Sequence, residues 1–357
     1  MFHLLERYTT ESVTSGHPDK VCDQISDAIL DAMLEQDPQS RAGVEVIGSH
    51  GTLLIGGEVR TKAKIDFEAI GRQVYRDIGY TDELEVFVRV AQQSPDIAMG
   101  VDTGGAGDQG IMYGYATNET PEYLPKGCVL SHTLARRLEA IRRDGTLPWL
   151  GPDGKTQVTI SNSKGVVTAL SSAQHSDNVE LEEVREGLIE HMFKPVLGDI
   201  SKIEILVNPT GRFVQGGFSA DAGLTGRKTQ VDTYGGLVPH GGGCLSGKEP
   251  MKVDRSAAYM CRFVAKNLVA NGYGKKVLVS VAYAIGRAEP VMVEAFDDTG
   301  KNLTEVVMKN FDFRPLSIIE RLDLRRPIYR QTAAYGHFGL PAGKQASDRP
   351  WEKIEKI

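Results

Sequence analysis

The sequence predicts an α+β fold in which one mixed unit of strands and helices recurs about three times. Three observations carry that expectation. Strand-like runs come as adjacent pairs more often than as strand–helix–strand crossovers, which favours α+β layers over a doubly wound sheet. The order of long helix, paired strands and second helix returns along the chain, with no residue-level repeat behind it. And 357 residues with 41% hydrophobic content are enough chain for two or three cores.

The first helix is expected over Asp19 to Gln36, where Val21, Cys22, Ile25, Ala28, Ile29, Ala32 and Met33 share one face and Asp37-Pro38 ends the run. Pro18 suits the first helical position, which makes His17 the cap. Strands follow at Gly43 to Gly48 and Thr52 to Arg60, turning at Ser49-His50-Gly51. A second helix at Asp66 to Ile78 and a strand at Leu84 to Ala91 complete the unit. The middle unit has a helix near Leu130 to Arg143, strands at Gln157 to Ser161 and Gly165 to Ser171, a helix at Val179 to Met192 and a strand at Lys202 to Val207. The last has a helix at Asp254 to Ala270, strands at Lys276 to Ala284 and Pro290 to Phe296, and a helix at Leu303 to Phe311. These segments divide the chain into domains at 1–98, 111–215 and 216–357, with a flexible Gly-rich loop at 99–110. The polar tail from Pro341 to Ile357 reads as loosely held.

A net charge of −6 argues against broad nucleic-acid binding, which needs a basic face to neutralise phosphates. No apolar run reaches membrane-spanning length, and the first ten residues lack a signal-peptide core. Cys22, Cys128, Cys244 and Cys261 are scattered without a C-x-x-C pair. That pattern suits reduced thiols in a cytoplasm rather than a disulfide frame or zinc site.

Two glycine-bearing segments carry the chemistry: Gly16-His17-Pro18-Asp19-Lys20 and Gly241 to Lys248. Each sets flexible backbone beside a cation or imidazole, as a polyphosphate requires. His17 and Asp19 stand where a helix begins and its free amides favour anions. His17 reads either as a donor to a developing negative oxygen or as a plain cap, and Asp19 as a Mg²⁺ ligand or an acidic first-turn residue. Gly242 to Lys248 matches most of the P-loop pattern, but Glu249 replaces the required hydroxyl and no apolar strand precedes it. A Walker motif is therefore rejected, while Lys248 on a glycine loop still suits phosphates. Gly105 to Gly110 spells G-x-G-x-x-G without a preceding strand and with Asp108 facing where a pyrophosphate would lie, so the dinucleotide reading is rejected too. A mobile lid over Gln93 to Gln109 is expected instead. Asp221 to Lys228 couples a carboxylate to the Arg227-Lys228 pair, and Asp153 and Lys155 flank a turn at Gly154; both segments can equally be solvated surface.

Together these segments resemble the S-adenosylmethionine synthetase (methionine adenosyltransferase) family. The likeness runs through Glu11-Ser12-Val13, Gly16 to Lys20, Gln93 to Ile97, Gly105 to Gly110, Gly114 to Glu119, Asn208 to Phe213, Asp221 to Lys228, Asp232 to Gly236, His240 to Lys248, Lys252 to Ala258, Tyr283 to Gly286 and Ala334 to Gly339. It implies three similar αβ domains about a pseudo-threefold axis. It also implies attack of methionine sulfur on C5′ of ATP, with the tripolyphosphate expelled and then hydrolysed to pyrophosphate and phosphate. By that resemblance His17 stabilises the departing O5′ with Lys155, while Arg227, Lys228, Lys248 and Lys252 clamp the phosphates. Asp19 and Asp254 hold Mg²⁺, two ions per site, and Glu45 belongs to a K⁺ site. Arg212 and Phe213 meet the adenosine, Asp153 the ribose, and Cys244 contacts ATP through its backbone. Glu58, Gln93, Asp221 and Lys252 fall at methionine contacts, and Asp108 joins the site. The family builds its active sites between two subunits of a homodimer, which often pairs into tetramers. Relative to the family the stretch Tyr80 to Gln92, the lid and the chain after Gly339 read as short.

Two other functions fit parts of the pattern. One is a phosphotransferase or NTPase using the glycine loop, which Glu249 disfavours. The other is a non-catalytic nucleotide-binding subunit, expected to have lost His17, Lys155 or a metal carboxylate; this chain retains all of them.

Overall fold

The computed structural model describes residues 6–93, 104–340 and 343–357. Most of the expected lid, and Pro341 and Ala342 of the tail, lie outside the described residues.

Strand β1 (Arg7–Val13) leads into α1 (Pro18–Gln36), the hairpin β2 (Arg41–Ser49) and β3 (Thr52–Arg60), α2 (Phe67–Ile78) and β4 (Glu85–Gln92). The order then repeats. Strand β5 (Gly110–Thr117) precedes α3 (Lys126–Arg143), the hairpin β6 (Leu150–Ser161) and β7 (Gly165–His175), α4 (Leu181–Leu188) and β8 (Glu204–Val207). Short β9 (Gly223–Leu224) precedes α5 (Val253–Ala270), the hairpin β10 (Lys276–Tyr283) and β11 (Met292–Asp297), then α6 (Thr304–Asn310) and α7 (Pro315–Arg321). The recurring unit expected from element order is present, with β1, β5 and β9 added to it.

Those three added strands interlock the units. Among the described residues the sheets run β4-β3-β2-β9, β1-β6-β7-β8 and β11-β10-β5. Each unit therefore gives its leading strand to the next unit's sheet, and the third closes the ring by giving β9 to the first. Within each sheet the hairpin is antiparallel, and β4 and β8 join parallel after a helical crossover. The sheets thus do not coincide with three contiguous stretches of sequence, because the edge beside every hairpin is filled from elsewhere.

Helix α1 differs from the amphipathic helix its sequence suggests. His17 caps it in an extended conformation, its Nδ1 accepting from the Asp19 amide at 3.2 Å, and Pro18 occupies the first turn. Every residue from Pro18 to Leu30 is nevertheless buried, charged ones included, so the helix runs through the interior and its polar stripe must be paired internally. Helix α5 is likewise buried around nearly its whole circumference. Its buried Arg262 and Lys266 explain the tail. Both donate to Glu352, Arg262 Nε at 2.9 Å and Lys266 Nζ at 2.8 Å, while Trp351 stacks on Tyr259 with centroids 3.8 Å apart. The expectation of a loosely held tail is wrong for Arg349, Trp351 and Glu352, which are buried, Glu352 because these cations need a carboxylate.

Candidate active site

The turn before α1 sets His17 against β6. Gly16 permits this approach: a Cβ there would stand 2.3 Å from the Pro152 carbonyl oxygen. His17 is 3% exposed. Burial, and next the Lys228 ammonium, push its imidazole down to about 3. The ring is therefore neutral at ordinary pH, and its Nδ1 is already used as an acceptor, so Nε2 carries the proton. The Asp19 carboxylate 4.0 Å from Nδ1 is a dipolar neighbour rather than an ion-pair partner. His17 is built as a donor.

Asp19 takes its donors from the 223–228 loop. Oδ1 accepts the Leu224 amide at 3.0 Å, Oδ2 accepts Lys228 Nζ at 2.5 Å, and Arg227 Nε lies 3.9 Å from Oδ1. Burial opposes the charged form, but Lys228 and the Leu224 amide hold the carboxyl below its usual range. On β6, Lys155 is exposed and adds to the positive field on His17. Two residues earlier, Asp153 is buried where the β6–β7 register shifts. Its Oδ2 accepts the Gly217 amide at 2.9 Å, whereas Oδ1 is buried without a hydrogen-bond partner. Burial raises this carboxyl to about 6, and exposed Asp221 contributes in the same direction.

Phe213 is held by a residue the sequence reading missed. The His175 amide donates to the Phe213 carbonyl at 2.9 Å, and the Phe213 amide donates to His175 Nε2 at 3.1 Å. Nε2 is thus an acceptor, leaving the proton on Nδ1, which lies 3.0 Å from the Ser176 carbonyl. Arg212 is exposed and paired with Asp177. A histidine ending a strand carries no sequence signal for this; only the register with residue 213 reveals it.

A second group gathers around the glycine loop. Lys248 Nζ bonds the Asp254 carboxylate in the first turn of α5. Lys248 also bridges to Gly43 of β2, whose cross-strand partner in β3 is Glu58. Gln93 Nε2 donates to Glu58 Oε1 at 3.3 Å. Lys252 Nζ is 3.7 Å from Glu249 Oε1, and its stem passes close to Gly43. Glu249, which displaced the Walker hydroxyl, is a buried strut: it accepts Arg41 Nη1 at 3.3 Å and the Met251 amide at 2.7 Å. Glu45 stands exposed on β2 within electrostatic reach of Cys244. Asp108 is exposed, its Oδ1 accepting the next residue's amide at 2.7 Å.

The two groups adjoin where β9 pairs with β2 and where their glycine loops touch. At Gly226, φ is +82° and a Cβ would stand 2.2 Å from that of Cys244. Among the described residues, no hydrogen bond or ion pair joins a predicted site side chain of one group to one of the other. Within one chain these candidate residues thus fall into two groups: His17, Asp19, Asp153, Lys155, Phe213, Asp221, Arg227 and Lys228; and Glu45, Glu58, Gln93, Cys244, Lys248, Lys252 and Asp254.

No cluster of three or more His, Cys, Asp or Glu side chains that could hold a metal occurs among the described residues. Asp19 and Asp254 are single carboxylates, each beside a lysine. Such a sparse donor set fits Mg²⁺ completed by substrate phosphates, and not a protein-only cage. Glu45 fits K⁺ only as one ligand among several.

The chain matches all three domains that define one enzyme family: the S-adenosylmethionine synthetase N-terminal domain over residues 6–95, the central domain over 103–213 and the C-terminal domain over 215–353. The chain belongs to the S-adenosylmethionine synthetase family. Among its relatives, the S-adenosylmethionine synthase of Pseudothermotoga lettingae is 50% identical, the alignment covering 98% of this chain and 97% of the relative. The S-adenosylmethionine synthase of Desulforudis audaxviator is 51% identical over 98% of this chain and 96% of the relative. That of Petrotoga mobilis is 49% identical over 98% and 96%. The three interlocked units described above are therefore this family's three domains.

Proposed function

We propose that the chain is an ATP:methionine S-adenosyltransferase whose active site forms between two copies. The observation that carries this reading is His17, a buried neutral imidazole with its proton on Nε2, beside Lys228 and near Lys155. Such a group stabilises a departing oxygen; it does not abstract a proton. A thioether sulfur has no proton to lose, so attack on C5′ needs alignment and stabilisation of the leaving tripolyphosphate, not a general base. Sulfur forms the new bond to C5′ as the C5′–O5′ bond breaks, the electron pair leaving with O5′. His17 and Lys155 meet that oxygen. Arg227, Lys228 and Lys248, with Lys252, clamp the phosphates, which are then hydrolysed to pyrophosphate and phosphate.

Asp153 receives a ribose hydroxyl at its unpartnered Oδ1, and Phe213, held by His175, stacks on adenine beside Arg212. Cys244 contacts ATP through its backbone. Glu58 and Gln93, already bonded to each other, take methionine with Asp221 and Lys252, and Asp108 closes on the site. Mg²⁺ at Asp19 and Asp254 would neutralise phosphate charge, and K⁺ at Glu45 would order the neighbouring loop. When phosphates arrive, Lys228 and Lys248 exchange their carboxylate partners for phosphate oxygens.

The outer face of the first sheet supports the dimer. One row of it carries Leu224, Ile47, Leu54 and Phe87 in register, with Ile47 and Phe87 each 37% exposed. The third sheet exposes Ile111, Met292 and Phe296 in the same way. Apolar rows of this kind call for a cover, and a second copy would carry the Glu58–Lys248 half-site to the partner's His17 half-site. Four free cysteines, three of them buried, fit a reducing cytoplasm, and no described helix is long and apolar enough to cross a membrane. Product analysis tests the proposal. An adenosyl sulfonium with pyrophosphate and phosphate supports it, whereas ADP would point to a phosphotransferase.

A further inference from the structure

The buried polar stripe of α1 has a regularity that its assigned residues do not explain. Asp19, Asp23, Asp27 and Asp31 follow one another at four-residue steps, which keeps them on one slowly winding line. Each accepts backbone amides from a segment far away in sequence. Asp19 Oδ1 accepts Leu224 at 3.0 Å, Asp23 Oδ1 accepts Gly226 at 2.8 Å, and Asp27 Oδ1 accepts Gly247 at 2.8 Å. Asp31 accepts Tyr329 at 2.9 Å and Arg330 at 2.8 Å. The two middle amides stand immediately before the cations of the phosphate clamp: Gly226 before Arg227-Lys228, and Gly247 before Lys248.

Both middle carboxylates are fully buried and matched by cations outside the clamp. Asp23 pairs with Lys20 Nζ at 3.0 Å, and Lys20 also bonds Asp232. Asp27 takes a two-pronged contact from Arg255, Nη1 at 2.6 Å and Nη2 at 2.8 Å. Lys20 is shared by Asp23 and Asp232 and Arg255 serves Asp27, all behind the loops, and among the described residues neither Asp23 nor Asp27 bonds Arg227, Lys228 or Lys248. We propose that Asp23 and Asp27 are positioning residues for phosphate capture: from one rigid helix, each fixes the backbone amide that starts a cation-bearing loop. Long flexible cations gain transition-state value only from a backbone held in place beforehand. This role rests on the reading of Arg227, Lys228 and Lys248 as the tripolyphosphate clamp.

The test begins with the ligand-free, wild-type protein. The Gly226 and Gly247 amides should exchange hydrogen as slowly as interior amides of α1; exchange at the rate of an open turn overturns the proposal even if every variant fails to fold. Asp23→Ala should weaken inhibition by Mg-tripolyphosphate and raise KM for ATP about tenfold, with KM for methionine within about twofold. Asp23→Asn, which keeps a carbonyl acceptor for Gly226, should recover most of that loss. Asp31→Ala, which frees the Tyr329–Arg330 amides but leaves the Asp23–Gly226 contact in place, should leave tripolyphosphate inhibition unchanged. Equal losses in Asp31→Ala and Asp23→Ala would mean general loosening and overturn the proposal, as would unchanged inhibition in Asp23→Ala. Wild-type protein indifferent to tripolyphosphate would instead overturn the clamp reading itself, whatever the exchange rates.

Discussion

Replacing Asp153 by Asn should stabilise the ligand-free protein while weakening ATP binding. The carboxyl is 6% exposed, with Oδ1 unpartnered and Oδ2 on the Gly217 amide. Burial lifts it from an ordinary 3.8 to about 6. The fold therefore prefers the protonated form, and between pH 4 and 6 it binds more protons than the unfolded chain does. Stability falls as pH rises through that window and is level above it. The full cost above pH 6 is roughly 3 kcal/mol. Asparagine keeps an acceptor for Gly217 and removes the charge, but leaves an amide donor unmatched at about 1 kcal/mol. The net gain expected at pH 8 is about 1–2 kcal/mol, or roughly 1–3 °C in apparent Tm for a protein of this size. The gain should vanish near pH 4. The variant should bind ATP about ten- to a hundredfold more weakly, because a ribose hydroxyl loses a charged acceptor. Thermal scans at the two pH values, with ATP titration at the higher one, measure both effects. A variant less stable at pH 8, or equally stabilised at both, would refute the argument from burial.

Substituting His17 by Ala or Lys155 by Met should cut product formation by about two to three orders of magnitude with circular dichroism and Tm little changed; near-normal turnover in both would remove them from the leaving-oxygen role. Phe213→Ala should raise KM for ATP and leave that for methionine, and a shift confined to methionine would contradict the adenine assignment. Ile47→Glu, placed in the centre of the exposed apolar row, should yield monomers by light scattering together with inactivity. Full activity from a monomer would end the shared-site reading.

Much of the fold was legible because hairpins and long helices are written in local periodicity. Helix α1 begins at the expected cap, β2–β3, β7 and β10–β11 overlap the expected strands, and the rejected Walker loop has Glu249 working as a strut. Strand β6 begins at Leu150 rather than Gln157, so Asp153 and Lys155 lie within a strand where a turn at Gly154 was expected. The other misses come from long-range pairing. Strand β1 is largely polar, β5 carries glycines and β9 is a two-residue strand; each pairs with a hairpin from another unit, so no local signal names its partner. The tail at 349–352 reads as solvated because it is polar, yet Glu352 answers two cations buried in α5.

The sequence alone determined the recurring unit, the family motifs and the kinds of side chain the chemistry uses, since these depend on residue identity and short-range spacing. Tertiary structure decided which carboxylates stand bare, which amides the α1 aspartates hold, and how one chain's site residues divide into two groups. Those outcomes depend on which distant segments are pressed together and stripped of water. Such burial is what turns His17 into a neutral donor and leaves Asp153 with an oxygen waiting for a hydroxyl.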